Sequence, residues 1–477
     1  MRSRLQSGWL ALALAAVVAV AQESSPPLTL TLEDAIEQAL AHNRDLVRGA
    51  LDVQRNRLAV EQAREATRNL QVTPLGSAGA GEDREQWRAG VGVSAVGNYG
   101  TRVGVAATAN QIAVDGAPTR RRAEIQTTIE QPLLRDFGPL VQQEPVVLAN
   151  EALLAARRVW ERDRSALVVQ VVELFETLIY LRHQVTCDEE FAERMSGLRQ
   201  LAAARAEQGK ASRTDVLRME WQEGEAQLRL ETGRAQLAIR FQELANVLGL
   251  PLTTSFTLVP PPLLDLTTGE TDEALAVALA ERPDYAQALQ DVETSSRQER
   301  LARRRLLPNL RLAATQTTYG EGPEWSDATR LDQEDWFVGL TADMNLNLRG
   351  TRLDVARAGV DVAVREHVAE IVRNRLAVEV HAALAEYRRS RAALALAARN
   401  RELAADRAEL ARTLFTAGRA PADMVSDAET DSSSAMLREL AARREAAVAA
   451  YRLLHVLGTL VPAPKELLRP TSQGTES

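Results

Sequence analysis

The chain has 477 residues, of which 45% are hydrophobic, 26% are charged and only 4% are aromatic. Because large rings dominate burial in compact cores, this composition argues against several ordinary globular domains and favours long helices. The net charge of -8 and the isoelectric point near 5.5 argue against a nucleic-acid-binding scaffold.

The N-terminus has the pattern of an export signal. Two arginines precede an apolar run that ends in the small-residue cleavage site Ala19-Val20-Ala21. We therefore predict a signal peptide over residues 1–21 and an exported mature chain that begins at Gln22.

Residues of the types that form catalytic or metal sites are few and lie far apart in the sequence. The single cysteine, Cys187, excludes a disulfide within the chain and a thiolate metal cluster. The five histidines lie far apart, and the sequence has no zinc-protease, serine-hydrolase or phosphate-loop motif. We predict a protein that is not an enzyme and needs no cofactor or metal.

The chain repeats one plan twice. LTLEDAIEQALAHNRDL at 30–46 matches ETDEALAVALAERPDY at 270–285, and GKASRTDVL at 209–217 matches GRAPADMV at 418–425. Each repeat is predicted as helix, strand, strand, long helix and return helix. The predicted division is repeat 1 over 22–249, an equatorial linker over 250–271, repeat 2 over 272–458 and a C-terminal tail over 459–477.

Each repeat opens with a helix. The sequence TLED from Thr31 forms a capping-box pattern, and apolar residues then recur at helical spacing. In repeat 2 the first helix covers about 271–306, with a break near Pro283. Prolines end both helices, at Pro74 and Pro308.

Strands of period two follow. Residues 336–348, WFVGLTADMNLNL, alternate apolar and polar side chains with only Phe337 out of place, and 309–319 form a weaker partner strand. Nine to eleven alternating residues are typical of a strand with one face in lipid and the other in a lumen. We place the strands of repeat 2 at about 309–348.

The strands of repeat 1 are predicted at about 87–133. Residues 123–133 alternate clearly. Over 87–109 the apolar residues stay at odd-numbered positions, so they keep one parity throughout. This pattern fits either one long strand or a hairpin with an odd-numbered loop around Asn98-Tyr99-Gly100. One long strand is the preferred reading.

The longest predicted elements are helices. They cover 146–208 and 351–417, and at about 1.5 Å per residue each would span roughly 95–100 Å. Leucine and valine recur at spacings of three and four in the first of them, as in a coiled coil. Return helices at 212–249 and 421–458 are expected to pack antiparallel on them.

Two strands per repeat would give four per chain, which is too few to close a barrel. Open sheet edges are not viable in lipid, so a chain with membrane strands must share its sheet with copies of itself. This argument allows two, three or more copies.

The duplicated order of these motifs, together with EQPLLRDFGP at 130–139, resembles the TolC-like outer membrane efflux proteins over essentially the whole mature chain. The resemblance implies a mainly α fold with a membrane β-barrel part. It implies a homotrimer with a 12-stranded β-barrel in the outer membrane and a 12-helix α-barrel tunnel in the periplasm. The implied partners are a periplasmic adaptor, an inner-membrane pump or secretion ATPase, and outer membrane lipid.

The resemblance also implies a gate at the periplasmic tip. Positions that match, or lie one residue from, the family's gate positions are Thr214, Asp215, Phe415, Arg419, Asp423 and Asp427. Phe415 lacks the hydroxyl that some members use for a gate hydrogen bond. The alternative for Asp215 and Asp423 is that they simply cap helix N-termini.

Two further surfaces are candidates. The turns at Gly209, Lys210 and Gly418 are expected to contact the adaptor. Arg120, Arg121 and Arg122 precede a predicted strand on the outer side and are candidates for lipopolysaccharide phosphates; a solvated loop is the alternative.

We therefore predict a passive, gated exit duct of a tripartite efflux or type I secretion system. The alternative from another class is an exported coiled-coil structural or adaptor protein without a membrane barrel. The alternation over 336–348 favours the duct.

Overall fold

A computed structural model describes residues 28–68, 70–82, 84–207, 213–254, 256–266, 270–416, 419 and 422–461. The predicted signal peptide, the turns at Gly209, Lys210 and Gly418, and most of the predicted tail lie outside these residues. Among the described residues, no helix combines the length and apolar character needed to cross a bilayer.

The elements follow the chain as two rounds of helices, strands and long helices. The first round contains β1 (Leu28–Leu30), α1 (Leu32–His42), α2 (Arg44–Arg68), β2 (Gln71–Ala80), β3 (Arg84–Val96), β4 (Arg102–Val114), β5 (Arg120–Pro132), α3 (Pro139–Gln142), α4 (Glu144–Glu207) and α5 (Arg213–Val247). The second contains β6 (Phe256–Leu258), α6 (Thr271–Glu281), α7 (Pro283–Arg304), β7 (Asn309–Gly322), α8 (Trp325–Ala328), β8 (Gln333–Asp343), α9 (Arg349–Thr416) and α10 (Ala422–Leu457). The mainly helical class predicted from the sequence is confirmed.

The chain divides into two compact units. Unit 1 comprises residues up to 43, 170–264 and 396–448, and unit 2 comprises 44–169, 265–395 and residues from 449 onward. The long helices α4, α9 and α10 contribute residues to both units.

Unit 1 is helical except for one small sheet. Strands β1 and β6 pair in parallel, and Thr31 and Asp34 form the predicted capping box at the start of α1. Aliphatic residues and Phe175 form its most buried part, while Asn43 donates a hydrogen bond to the Val247 carbonyl at 2.9 Å. The buried amide therefore has a partner where α1 ends.

Unit 2 contains a six-stranded antiparallel sheet in the order β2-β3-β4-β5-β7-β8. Beside it, helices pack through small and aliphatic residues. One cluster includes Ala278, Val380, Leu384 and Leu453. A second joins α2 to α4, where Trp160 donates a hydrogen bond to the Leu46 carbonyl at 3.1 Å.

The predicted number of strands is wrong. Repeat 2 adds the expected pair, β7 and β8, to the large sheet, but repeat 1 adds four strands, β2 to β5. The sequence interpretation missed β2 because Pro74 reads as a helix end and disfavours a central strand, whereas β2 is an edge strand that tolerates it. The described residues therefore contribute six strands to the sheet.

The preference for one long strand over 87–109 is also wrong. Strands β3 and β4 form a hairpin joined by residues 97–101. Because this loop has five residues, Ala95 pairs with Val103 and the apolar parity continues across the turn. Gly100 adopts a φ of +89°, and a Cβ there would lie 2.7 Å from the Pro132 ring, so glycine is required.

Strand β8 also differs from the predicted strand over 336–348. It begins earlier, at Gln333, and ends at Asp343, so the last alternating residues lie outside it.

Arg297 forms a buried ion-pair triad in unit 2. Its guanidinium lies 2.8 Å from Glu144 and binds both carboxylate oxygens of Glu151 at 2.7 and 2.6 Å. Both glutamates come from α4 and Arg297 from α7, and all three side chains are largely buried. The two carboxylates raise the pKa of Arg297 further above its usual range.

Replacing Arg297 by alanine leaves two buried carboxylates without their cation. We expect the free energy of unfolding to fall by about 3–5 kcal/mol, measured as a lower urea midpoint of the purified protein. The control is Arg303→Ala, because Arg303 pairs with Glu299 at 2.6 Å but is 65% exposed. That change should cost at most about 1 kcal/mol. Equal midpoints for the two variants would contradict a structural role for the triad.

Candidate functional site

The six-stranded sheet has two chemically different faces. Cross-strand partners lie on the same side of the sheet, so each face can be followed across the six strands. One face, here called the apolar face, carries Val72, Val91, Val93, Val103, Val105, Ile125, Ile129, Leu312, Trp336, Val338 and Leu340. The opposite, polar face carries Arg88, Arg102, Thr108, Arg122, Glu124, Gln126, Thr128, Glu130, Arg311, Thr317 and Asp343.

The apolar face is open to solvent in the single chain. Trp336 is 75% exposed, Leu340 62% and Ile125 40%. A contiguous apolar surface of this kind marks a partner or membrane contact, because soluble proteins rarely expose one. The alternation thus generates a surface that needs an apolar environment.

The polar face is held by a ladder of charges across four strands. Arg311 on β7 lies 2.8 Å from Glu130 on β5 and 3.5 Å from Asp343 on β8. Arg102 on β4 lies 3.8 Å from the same Glu130. These pairs give this face fixed charges of both signs.

The three consecutive arginines begin β5 and alternate between its faces. Arg120 lies 3.8 Å from Glu321, and Arg122 pairs with Glu124 at 3.0 Å and covers the Tyr319 ring. Arg121, on the apolar face, donates to Gln111 at 3.1 Å and also bonds the Pro323 carbonyl. They therefore do not form one cationic cluster on one side of the sheet.

In unit 1 the ends of the long helices are tied to their return helices by ion pairs. On α9 and α10, Arg401 pairs with Glu439 at 2.7 Å and Arg407 with Asp431 at 2.6 Å. Partner numbers fall as the α9 numbers rise, so these helices run antiparallel. The α4–α5 pair has the same arrangement, with Arg234 bonded to Glu189 at 2.8 Å and Arg199 to Glu223 at 2.5 Å.

Glu429 connects three helices near this end. Its buried carboxylate accepts a bond from Arg412 on α9 and lies 3.7 Å from Arg194 on α4. Ala428 beside it packs on Ala408 and Ala411 of α9. Asp427 lies between buried neighbours but is itself exposed, so its charge faces away from the α9–α10 contact.

The structure describes the predicted gate residues only in part. Thr214, near the start of α5, and Arg419, just beyond α9, are exposed, and the Arg419 backbone N–H donates to the Leu414 carbonyl at 2.8 Å. The backbones of three further candidates lie in helices, while their side chains lie outside the described part; these are Asp215, Phe415 and Asp423.

One buried carboxyl in unit 1 has a strongly shifted pKa. Burial raises the pKa of Glu176 on α4 to about 7, and the nearby Arg443 opposes the shift only partly. Glu176 therefore titrates near neutral pH in the folded chain. In the described ranges, no group of three or more His, Cys, Asp or Glu residues is arranged to hold a metal.

Sequence reasoning missed strand β2, preferred one strand where β3 and β4 form a hairpin, and missed the Arg102–Glu130–Arg311–Asp343 ladder. The ladder joins residues from four strands, and only the strand register brings them together. The sequence signal for β3 is the run of apolar residues at alternate positions over 87–95, and the hairpin alternative already included these residues.

Part of the chain matches a known protein family. Residues 274–459 match the family model described as Outer membrane efflux protein. No match to a curated protein was found.

Solved structures with the same fold are outer-membrane channels. The outer-membrane channel OprN is 19% identical, with 90% of this chain and 89% of that chain covered and a TM-score of 0.70. The Campylobacter jejuni CmeC outer membrane channel is 13% identical, with 91% and 87% covered and a TM-score of 0.69. The Vibrio cholerae outer membrane protein VceC is 14% identical, with 90% and 96% covered and a TM-score of 0.68.

At these identities the structures establish the fold, and the family model adds the sequence match over 274–459. The resemblance predicted from the sequence is therefore confirmed: this chain resembles the TolC-like outer membrane efflux channels.

Proposed function

We propose that three copies of this chain form an outer-membrane channel-tunnel, the passive exit duct of a tripartite efflux or type I secretion system. The observation that carries the proposal is the sheet with one exposed apolar face and one charged face. In this assembly the apolar face contacts lipid and the polar face lines a water-filled lumen. A soluble coiled-coil or adaptor protein gives no reason for such a face.

In the part of the chain that the structure describes, the sheet also has two unpaired edges, at β2 and β8. In lipid each unpaired backbone group costs several kcal/mol, so neighbouring copies must complete the ladder. Three copies correspond to the assembly that the family resemblance implies.

The helical part supports the tunnel. Helices α4 and α9 have 64 and 68 residues, and each is paired with an antiparallel return helix. Their ends form the proposed periplasmic tip, with gate residues Thr214, Asp215, Phe415, Arg419, Asp423 and Asp427. The turns at Gly209, Lys210 and Gly418 would meet a periplasmic adaptor, which couples the duct to an inner-membrane pump or secretion ATPase.

Lipopolysaccharide binding by Arg120, Arg121 and Arg122 stays a prediction. Because the three side chains alternate between faces, Arg121 on the apolar face is the best placed of them for a lipid headgroup. It would have to exchange its bonds to Gln111 and the Pro323 carbonyl.

The lipid-facing assignment is tested with two neighbouring residues of β5. Ile125 lies on the apolar face and Gln126 on the polar face. An arginine on a lipid face costs about 2–4 kcal/mol at the bilayer midplane, whereas a lumen position tolerates it. We expect Ile125→Arg to reduce heat-modifiable outer-membrane protein several-fold, and Gln126→Arg to assemble normally with altered ion selectivity in planar bilayers.

The opposite ranking of the two arginine variants would invert the assignment of the faces. Equal assembly of both, with the protein recovered as a soluble monomer, would favour the coiled-coil alternative.

The gate proposal predicts a ring of Asp427, with Asp423, that attracts cations. We expect Asp423→Ala combined with Asp427→Ala to reduce the cation preference, seen as a smaller reversal potential in a salt gradient. The control is Asp431→Ala, because Asp431 is already paired with Arg407 at 2.6 Å. Unchanged selectivity in the double variant would contradict an acidic ring.

A further inference from the structure

The ends of three helices meet at one polar junction in unit 2. Helix α6 ends and α7 begins at Arg282, whose backbone N–H donates to the Ala278 carbonyl at 3.0 Å. Helix α10 ends beside this break, because a Cβ at Gly458 would lie 3.1 Å from the backbone carbonyl carbon of Glu281. Gly458 has a φ of +79°, which favours glycine at this close approach. The end of α10 is therefore packed tightly on the break between α6 and α7.

A network of charges holds Arg282 in the junction. Its side chain is 12% exposed, binds both carboxylate oxygens of Asp284 at 3.0 and 2.7 Å, and lies 3.5 Å from Glu379 on α9. Arg375 on α9 lies 3.9 Å from Asp284 and 3.6 Å from Glu379. In repeat 1 the matching position is the neutral Asn43. The junction of repeat 2 is therefore ionic, and two carboxylates keep the Arg282 cation in place.

His455, in the last turn of α10, is the titratable group that faces this cation. Its Nδ1 lies 2.7 Å from the Ser165 hydroxyl oxygen on α4. Burial lowers the pKa of His455, Arg282 lowers it further, and Asp284 opposes the shift only in part. The imidazole is therefore neutral at neutral pH. A proton added to the ring would place a second, half-buried cation beside Arg282.

A cavity of about 300 Å³ lies beside His455 and provides a route by which a proton can reach it. Exposed Thr459 and half-buried His455 both line the cavity, so it extends from the surface to the imidazole. A polar cavity of this size has room for water, which can carry a proton to the ring. The charged groups around the histidine are Glu161 and Arg162 on α4, Glu281 on α6, Arg282 at the break and Asp284 on α7, with Arg375 and Glu379 of α9 one contact further away.

We propose that His455 is an acid-sensitive latch: when the imidazole gains a proton, repulsion from Arg282 loosens the end of α10 from the break between α6 and α7. Because the carboxylates hold Arg282, the histidine and its helical turn are the part that moves. The folded state disfavours the protonated ring, so the contact keeps its full strength above the ordinary histidine pKa near 6.5 and weakens as the pH falls below it. The latch lies within one chain, so it acts whether or not the chain forms a duct.

Hydrogen–deuterium exchange of the purified protein in detergent tests the latch. Exchange in peptides covering 449–461, corrected for the intrinsic pH dependence of amide exchange, is compared between about pH 7.5 and about pH 5.5. We expect it to be several-fold faster at the lower pH in the unchanged chain. His455→Gln, which keeps a hydrogen-bonding side chain and cannot gain a proton, should show no such increase. The control is His367→Gln, because His367 is 79% exposed and lies 3.4 Å from the exposed Glu370; it should respond like the unchanged chain.

A second variant, Ser165→Asp, tests the latch while keeping the histidine. A carboxylate close to Nδ1 stabilises the protonated ring, so the acid-induced increase should be absent or much smaller. An unchanged chain whose exchange does not rise at the lower pH would overturn the proposal, as would His455→Gln that keeps the rise. If His455→Gln does not fold, Ser165→Asp decides: a rise equal to that of the unchanged chain overturns the latch, and its loss supports it.

Discussion

The unpaired edges of an amphipathic sheet are the constraint on which the rest of the structure depends. Strands β2 and β8 each present an outer row of backbone donors and acceptors that pairs with no other strand among the described residues. At several kcal/mol for each group in hydrocarbon, even five of them would exceed the about 5–15 kcal/mol by which a typical protein is stable. A chain that places this apolar face in lipid must therefore pair its edge strands with strands of neighbouring copies.

The helices pack against one another with few large side chains. With only 19 aromatic residues in 477, their contacts rely on alanine, leucine and valine, and on ion pairs between arginine and carboxylate. Exposed pairs such as Arg401–Glu439 add little stability and mainly set register, whereas the buried Arg297 triad and the Glu429 contacts fix helices in place. Long helices stabilised in this way expose much surface, which suits assembly with further copies in the proposed tunnel.

Periodicity made the helices and the repeat 2 strands accessible from the sequence. Long helices were expected at 146–208 and 351–417 and are observed at Glu144–Glu207 and Arg349–Thr416, because heptads and flanking glycines are local signals. Repeat 1 was harder. Pro74 is atypical of a strand, so the edge strand β2 was not recognised. The five-residue loop keeps the apolar residues of β3 and β4 at odd-numbered positions, so the two strands resembled one. The pairing of Arg120, Arg121 and Arg122 depends on strand register and on the loop at Pro323, which no local pattern encodes.

The number of chains in the detergent-solubilised particle tests the central claim most directly, because it asks whether the sheet is completed by copies of the same chain. Native mass spectrometry of the purified particle should give a mass of three chains, with no stable single-chain species carrying the folded sheet. A folded, soluble particle with the mass of one chain would contradict the claim.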